Sequence, residues 1–226
     1  MPTYDISKTF YLPSPTDKYG QIMGKAAQVC RMFGLTVDRL TKRNITHSCK
    51  LEINEGDIVY ITGPSGAGKS VLLKELERSL PDSERINLDQ IELPTDKTLI
   101  DCIEGDFLTG LKTLSLTGLN DVFCILNRPA NLSDGQKYRF RLAMALAAEK
   151  KFIFADEFCS NLDRIMAAVI SFNVQKFAKK TGMVFILASS HEDLLLDLQP
   201  DVLVVKELSG ETKVIYKVDR HRTGDG

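Results

Sequence analysis

Residues 63–70 read Gly63-Pro64-Ser65-Gly66-Ala67-Gly68-Lys69-Ser70, a loop of the form G-x-x-x-x-G-K-S. Three glycines let the backbone curl so that successive N–H groups point inward at an anion. Lys69 adds a mobile positive charge, and the Ser70 hydroxyl, just before Val71, stands where it can ligate Mg²⁺. The flanks suit such a loop. Residues 57–62 form a β-branched run fit for a buried strand, and residues 71–80 are apolar at helical spacing. Bound phosphates would then sit at a helix N-terminus with a favourable dipole. A plain glycine-rich turn would not require strand, loop and helix in that order. The stretch predicts a nucleoside triphosphate as ligand.

Composition narrows the setting. The chain has 226 residues, long enough for one large α/β domain, and 29 basic against 30 acidic side chains. No long basic tract favours nucleic acid or an anionic membrane. Cys30, Cys49, Cys102, Cys124 and Cys159 contain no C-x-x-C pair, as expected of reduced thiols packed as small core residues in a cytosol. The N-terminus lacks a basic-then-apolar leader, and no apolar stretch approaches the ~20 residues needed to span a bilayer. A cytoplasmic location without a membrane passage of its own is the expectation.

We read residues 1–226 as one domain, with an N-terminal β/helix portion over 1–56 and a helical arm over about 91–150. Residues 9–12 and 50–53 look strand-like, and 21–33 have the spacing of an amphipathic helix that ends with Phe33 in the core. Residues 85–88 form a short strand candidate. Helical stretches are expected over 94–103, within 107–130 and over 132–150. The apolar runs 151–156 and 183–188 suit parallel strands covered on both faces, and 202–206 with 213–217 read as a hairpin around Ser209-Gly210.

Two further segments carry chemistry. Phe152-Ile153-Phe154-Ala155-Asp156-Glu157 is an apolar strand ending in two carboxylates, 87 positions beyond Lys69 at Asp156. Asp156 can hold Mg²⁺, and Glu157 can polarise an attacking water as general base. Leu132-Ser133-Asp134-Gly135-Gln136 has the S-x-x-Q spacing of a helix capping box. A box does not explain Gly135 in the first turn, where glycine costs about 1 kcal/mol against alanine. Glycine there permits a close backbone approach.

That segment resembles the LSGGQ signature of ATP-binding cassette (ABC) ATPases, with Asp134 in place of the middle glycine. The resemblance covers roughly residues 45–210. It implies a P-loop NTPase of ABC type: an α/β fold with a mainly parallel sheet core, a small antiparallel β portion and a short helical arm. It also implies hydrolysis of ATP with Mg²⁺. By the same resemblance, residues 160–163 look like the D-loop, with Asp163 at the nucleotide, and His191 looks like the switch histidine at the γ-phosphate. Gln90 looks like the Q-loop glutamine that contacts Mg²⁺ and the attacking water. The family's site pairs the phosphate loop of one protomer with Ser133, Gly135 and Gln136 of another, which implies an ATP-dependent homodimer. An aromatic residue upstream of the loop commonly stacks on adenine in the family, yet residues 35–58 contain no Phe, Tyr or Trp. That leaves Phe33 and His47 as the nearest candidates and implies a loose grip on adenine, with core packing the competing account of Phe33.

The chain departs from the family in places. Phe158-Cys159 replaces the usual Pro-Thr, and only 43 positions separate Gln90 from Ser133. Transport cassettes use that arm to dock membrane subunits. Its shortness favours a soluble ATP-driven switch or remodeller acting on a protein or nucleic-acid complex, ahead of the ATP-binding subunit of a membrane transporter. Residues 132–141 with 155–164 resemble a soluble group whose members include fusions to an acetyltransferase-like domain.

Overall fold

The computed structural model describes residues 2–11, 21–36, 44–208 and 211–218. Strands β1 (Thr3–Tyr11) and β2 (Asn44–Glu52) lie on either side of helix α1 (Gly24–Met32) in the chain. β3 (Ile58–Thr62) leads into α2 (Lys69–Arg78), followed by β4 (Arg85–Asn87). The arm adds α3 (Phe107–Leu116) and α4 (Val122–Ile125). Then come α5 (Asp134–Ala147), β5 (Phe152–Ala155), α6 (Arg164–Thr181) and β6 (Val184–Ala188). The short α7 (Leu195–Leu198) precedes β7 (Val202–Lys206) and β8 (Thr212–Tyr216).

Two sheets result. β4-β5-β6-β3-β7-β8 form one, parallel throughout except for the closing β7–β8 hairpin, and β1–β2 form a separate antiparallel ribbon. Alternation along the buried strands sends Ile58, Tyr60, Phe185 and Leu187 to one face, against Leu142 of α5 and Ile170 and Val174 of α6. Val59, Ile61 and Ile186 point the other way, onto Leu72, Leu73 and Leu76 of α2, with Cys49 and Leu51 of the ribbon in the same core. Burial on both faces is why these strands read as unbroken apolar runs. A third, smaller core holds the arm together through Leu99, Leu114, Leu119, Leu132, Phe140 and Ala143.

Several elements depart from the sequence expectations. β1 starts at Thr3, because it pairs with β2 in unbroken register from Thr3↔Glu52 to Tyr11↔Asn44. Its polar alternation conceals that length. Over 94–103 only a 3-10 turn forms, Ile100–Cys102. There Leu99 drops fully into the arm core and its N–H donates to the Asn127 carbonyl, so one tertiary anchor outweighs helical propensity. The next stretch breaks at Gly118 (φ +75°). Leu119 N–H bonds the Leu114 carbonyl and Gly118 N–H the Ser115 carbonyl, which is the glycine-terminated Schellman arrangement. Phe33 is 68 % exposed, so its expected place in the core is overturned; α1 buries only Cys30. The turn at Ser209-Gly210 lies outside the described residues. All five cysteines are free thiols; Cys30, Cys49 and Cys159 are buried, and Cys102 and Cys124 are half-buried.

Candidate functional site

Parallel pairing brings the C-terminal ends of β3, β5 and β6 to one edge of the sheet, the place where open α/β sheets hold ligands. The three following segments are residues 63–70, 156–163 and 189–191. Hydrogen bonds past the last ladder rungs join them: Phe158 N–H donates to the Ala188 carbonyl at 2.8 Å, and Ser189 N–H to the Ile61 carbonyl at 3.1 Å.

The phosphate loop is closely fitted. Gly63 (φ +142°), Gly66 (φ +80°) and Gly68 (φ +92°) take conformations that favour glycine. A Cβ on Gly63 would stand 2.1 Å from the Lys206 carbonyl oxygen, and one on Gly68 would stand 2.2 Å from Cε1 of His47. At Gly66 the space is open. Lys69, 5 % exposed, folds back over the loop, its Nζ donating to the Gly63 carbonyl at 2.9 Å and the Pro64 carbonyl at 3.2 Å. Ser70 and Val71 follow in the first turn of α2, whose leading N–H groups have no acceptor within the helix. A glycine-lined cradle, an ammonium at its mouth and a hydroxyl in the first turn fit a nucleotide's phosphates with Mg²⁺. Beneath the loop, burial and then the Lys206 charge push the His47 pKa down.

Asp156 and Glu157 emerge from β5 beside these groups. The Asp156 carboxylate accepts from Glu157 N–H at 3.1 Å, and the Glu157 side chain is exposed with its backbone left-handed at φ +47°. Gln90 follows β4, but its amide turns to Glu77, 3.4 Å away. Its neighbour Asp89 is the residue that reaches the acidic pair, accepting from Asp156 N–H at 3.2 Å. Burial, offset by that bond and reinforced by the Asp156 charge, raises the Asp89 carboxyl above its usual range. Sequence reasoning missed Asp89; its one signal was adjacency to the Gln90 turn.

His191 is held by its backbone: its carbonyl accepts from the Tyr60 hydroxyl at 2.6 Å, and its N–H donates to Ser189 Oγ at 3.3 Å. It lines a cavity of about 180 Å³ with Cys159, Leu162, Arg164, Asp193 and others. Asp163 caps α6 by accepting from Met166 N–H. Ser133 and Gln136 complete a capping box, Ser133 N–H donating to Gln136 Oε1 at 2.9 Å and Gln136 N–H to Ser133 Oγ at 3.3 Å. Gly135 lies beside this chain's own loop: a Cβ there would meet the Asn161 carbonyl oxygen at 3.3 Å.

A glycine-rich loop at the end of a central parallel strand, opening a helix with lysine and serine and lying beside an acidic pair, defines a P-loop nucleotide-binding domain. Known proteins narrow the class. Residues 46–105 match the family model described as ABC transporter. The methionine import ATP-binding protein MetN of Streptococcus agalactiae serotype III (strain NEM316) is 28% identical, with 72% of this chain and 56% of that protein covered. The lipoprotein-releasing system ATP-binding protein LolD of Novosphingobium aromaticivorans is 26% identical, with 72% of this chain and 86% of that protein covered. The dimeric ATP-binding cassette MJ0796 bound to ADP and Pi superposes with a TM-score of 0.62 at 20% identity, over 77% of this chain and 92% of that one. The fold is that of the ABC ATPases. The chain spans between 55% and 63% of the length of the methionine import relatives it matches.

Proposed function

We propose that this chain hydrolyses ATP to ADP and phosphate as the ATP-binding subunit of a membrane transporter. The observation that carries the chemistry is Lys69, bonded across the Gly63 and Pro64 carbonyls in a loop with no room for side chains at Gly63 or Gly68. Backbone amides over residues 63–71, other than that of Pro64, which has no N–H, would grip the phosphates, with Lys69 supplying positive charge. Ser70 and Asp156, with Gln90, would hold Mg²⁺, which when bound supplies charge neutralisation at the transferred phosphoryl group. Glu157 would take the proton of the attacking water and His191 would orient the γ-phosphate. Ser133, Gly135, Gln136 and Asp163 would complete the site from a second copy in a two-fold dimer. The exposure of Glu157 and Ser133 in the single chain supports that arrangement.

The names of the relatives speak for transport and reverse the preference that the short arm suggests from sequence. So does the arm's surface, where Phe107, Leu108, Val122, Phe123 and Leu126 are exposed, as a docked partner would require. The site would then work at the cytoplasmic side of a membrane; among the described residues no helix is long and apolar enough to cross one. A soluble switch is the second reading, favoured by the 43 positions between Gln90 and Ser133.

Glu157→Gln tests both parts. It is expected to bind ATP normally, lose about 10²–10⁴-fold in hydrolysis, and sediment as a dimer with Mg-ATP but as a monomer with ADP. Near-normal turnover would remove Glu157 as base, and a monomer under both conditions would remove the dimer. Affinity purification of this variant from detergent-solubilised cells with Mg-ATP is expected to retain an integral membrane protein. Soluble partners alone would favour the switch.

A further inference from the structure

The helix that begins at the Ser133–Gln136 turn also grips the segment bearing Glu157. α5 buries Tyr138, Leu142 and Leu146 in the main core and Phe140 and Ala143 in the arm core. Its first turn meets the loop after β5 at Gly135, whose added Cβ would lie 3.4 Å from Leu162 Cδ2. Three residues on, the Tyr138 hydroxyl accepts a hydrogen bond of 3.0 Å from Cys159 N–H. The Tyr138 side chain is 6 % exposed and Cys159 2 %.

That bond falls on strained backbone. Glu157 (φ +47°) and Cys159 (φ +60°) are both left-handed without being glycine, a conformation costing about 1–2 kcal/mol per residue. Such geometry persists where its surroundings hold it. Phe158 is fully buried and its N–H is tied to the Ala188 carbonyl, while Ser160 N–H closes the turn onto the Glu157 carbonyl. Tyr138 supplies the hold from the α5 side. Burial keeps its phenol protonated, raising its pKa well above the ordinary value.

We propose that Tyr138 is a positioning residue for Glu157: its hydroxyl pins the left-handed Glu157–Cys159 turn and thereby sets the aim of the Glu157 carboxylate. The inference rests on Glu157 being the general base. Because Phe140 and Ala143 anchor the same helix in the arm, the bond also ties the carboxylate to the arm.

Steady-state and single-turnover ATP hydrolysis of the full chain tests this with Tyr138→Phe, Glu157→Gln and the double variant. Tyr138→Phe is expected to lower kcat about tenfold, less than the 10²–10⁴-fold that a positioned base contributes in full, with KM for ATP changed less than twofold. On the Glu157→Gln background the same change is expected to add less than twofold, since two residues acting through one step are not additive. A raised KM at unchanged kcat, or a full tenfold loss on the Glu157→Gln background, would overturn the proposal. A wild-type measurement covers the event that Tyr138→Phe does not fold. The Cys159 amide is expected to exchange with deuterium at least about 100-fold more slowly than that of exposed Asn161; equal rates would overturn the hold on the turn. Wild-type turnover in Glu157→Gln would sink the base assignment instead, leaving amide exchange to decide whether Tyr138 pins the turn.

Discussion

The Tyr60 hydroxyl, from the middle of β3, donates a 2.6 Å hydrogen bond to the backbone carbonyl of His191. The strand that feeds the phosphate loop therefore also fixes the segment after β6. Tyr60 is fully buried, and burial pushes its pKa up to about 12, so the donor stays protonated throughout an ordinary assay range.

Tyr60→Phe keeps the ring and removes the donor. A net hydrogen bond is worth about 0.5–1.5 kcal/mol, and we expect turnover to fall roughly two- to tenfold while ATP affinity stays within twofold. Steady-state kinetics with a separate nucleotide titration checks this. Unaltered turnover would mean that the His191 segment keeps its position without Tyr60.

Gly68→Ala would be strained on two counts, φ +92° and a methyl 2.2 Å from the His47 ring. We expect ATP affinity to fall more than about 100-fold. Gly66→Ala, left-handed but facing open space, should lose only about tenfold, the ~1–2 kcal/mol conformational cost alone. His47→Ala placed on Gly68→Ala should recover part of the loss, because the ring is what the methyl meets. Titration with a fluorescent ATP analogue reads all three, and no recovery would show that ring contact is not the cause.

His47 predicts a pH dependence of stability. Burial and then Lys206 lower its folded pKa below the ordinary 6.5, so the unfolded chain binds the proton more readily than the folded one. Its contribution is present above about pH 6.5 and is lost as pH falls from there through the folded value. Thermal unfolding between pH 7 and pH 5 should show a larger fall in Tm for the wild type than for His47→Gln. Equal falls would mean that His47 does not sense pH in the fold.

Much of the candidate site's backbone geometry was legible because it is local. The Gly63–Ser70 pattern is complete within eight consecutive residues, and Asp156-Glu157 is marked by the apolar run before it. The same holds for Ser133 and Gln136, whose capping box forms within four residues. Positions that act at a distance left weaker traces. Asp89 reaches Asp156 across 67 positions and Tyr138 reaches Cys159 across 21; a lone carboxylate or phenol does not declare such a partner. Gln90 shows the converse: its place beside a strand is readable, whereas the turn of its amide toward Glu77 depends on how α2 packs.

Local spacing and residue type thus determined that this chain forms a parallel α/β core with a glycine-rich loop, an acidic strand end and a helix capped at Ser133. These follow from short-range backbone geometry and from burial on both faces of the strands. Only the tertiary structure decided that β1 runs from Thr3, that residues 94–103 give up a helix so that Leu99 can enter the arm core, and that Phe33 stands in solvent. It alone placed His47 against Gly68 and Tyr138 against the Glu157 turn. Each outcome depends on contacts between residues far apart in the chain, whose free energy outweighs local propensity and leaves no periodic mark in the sequence.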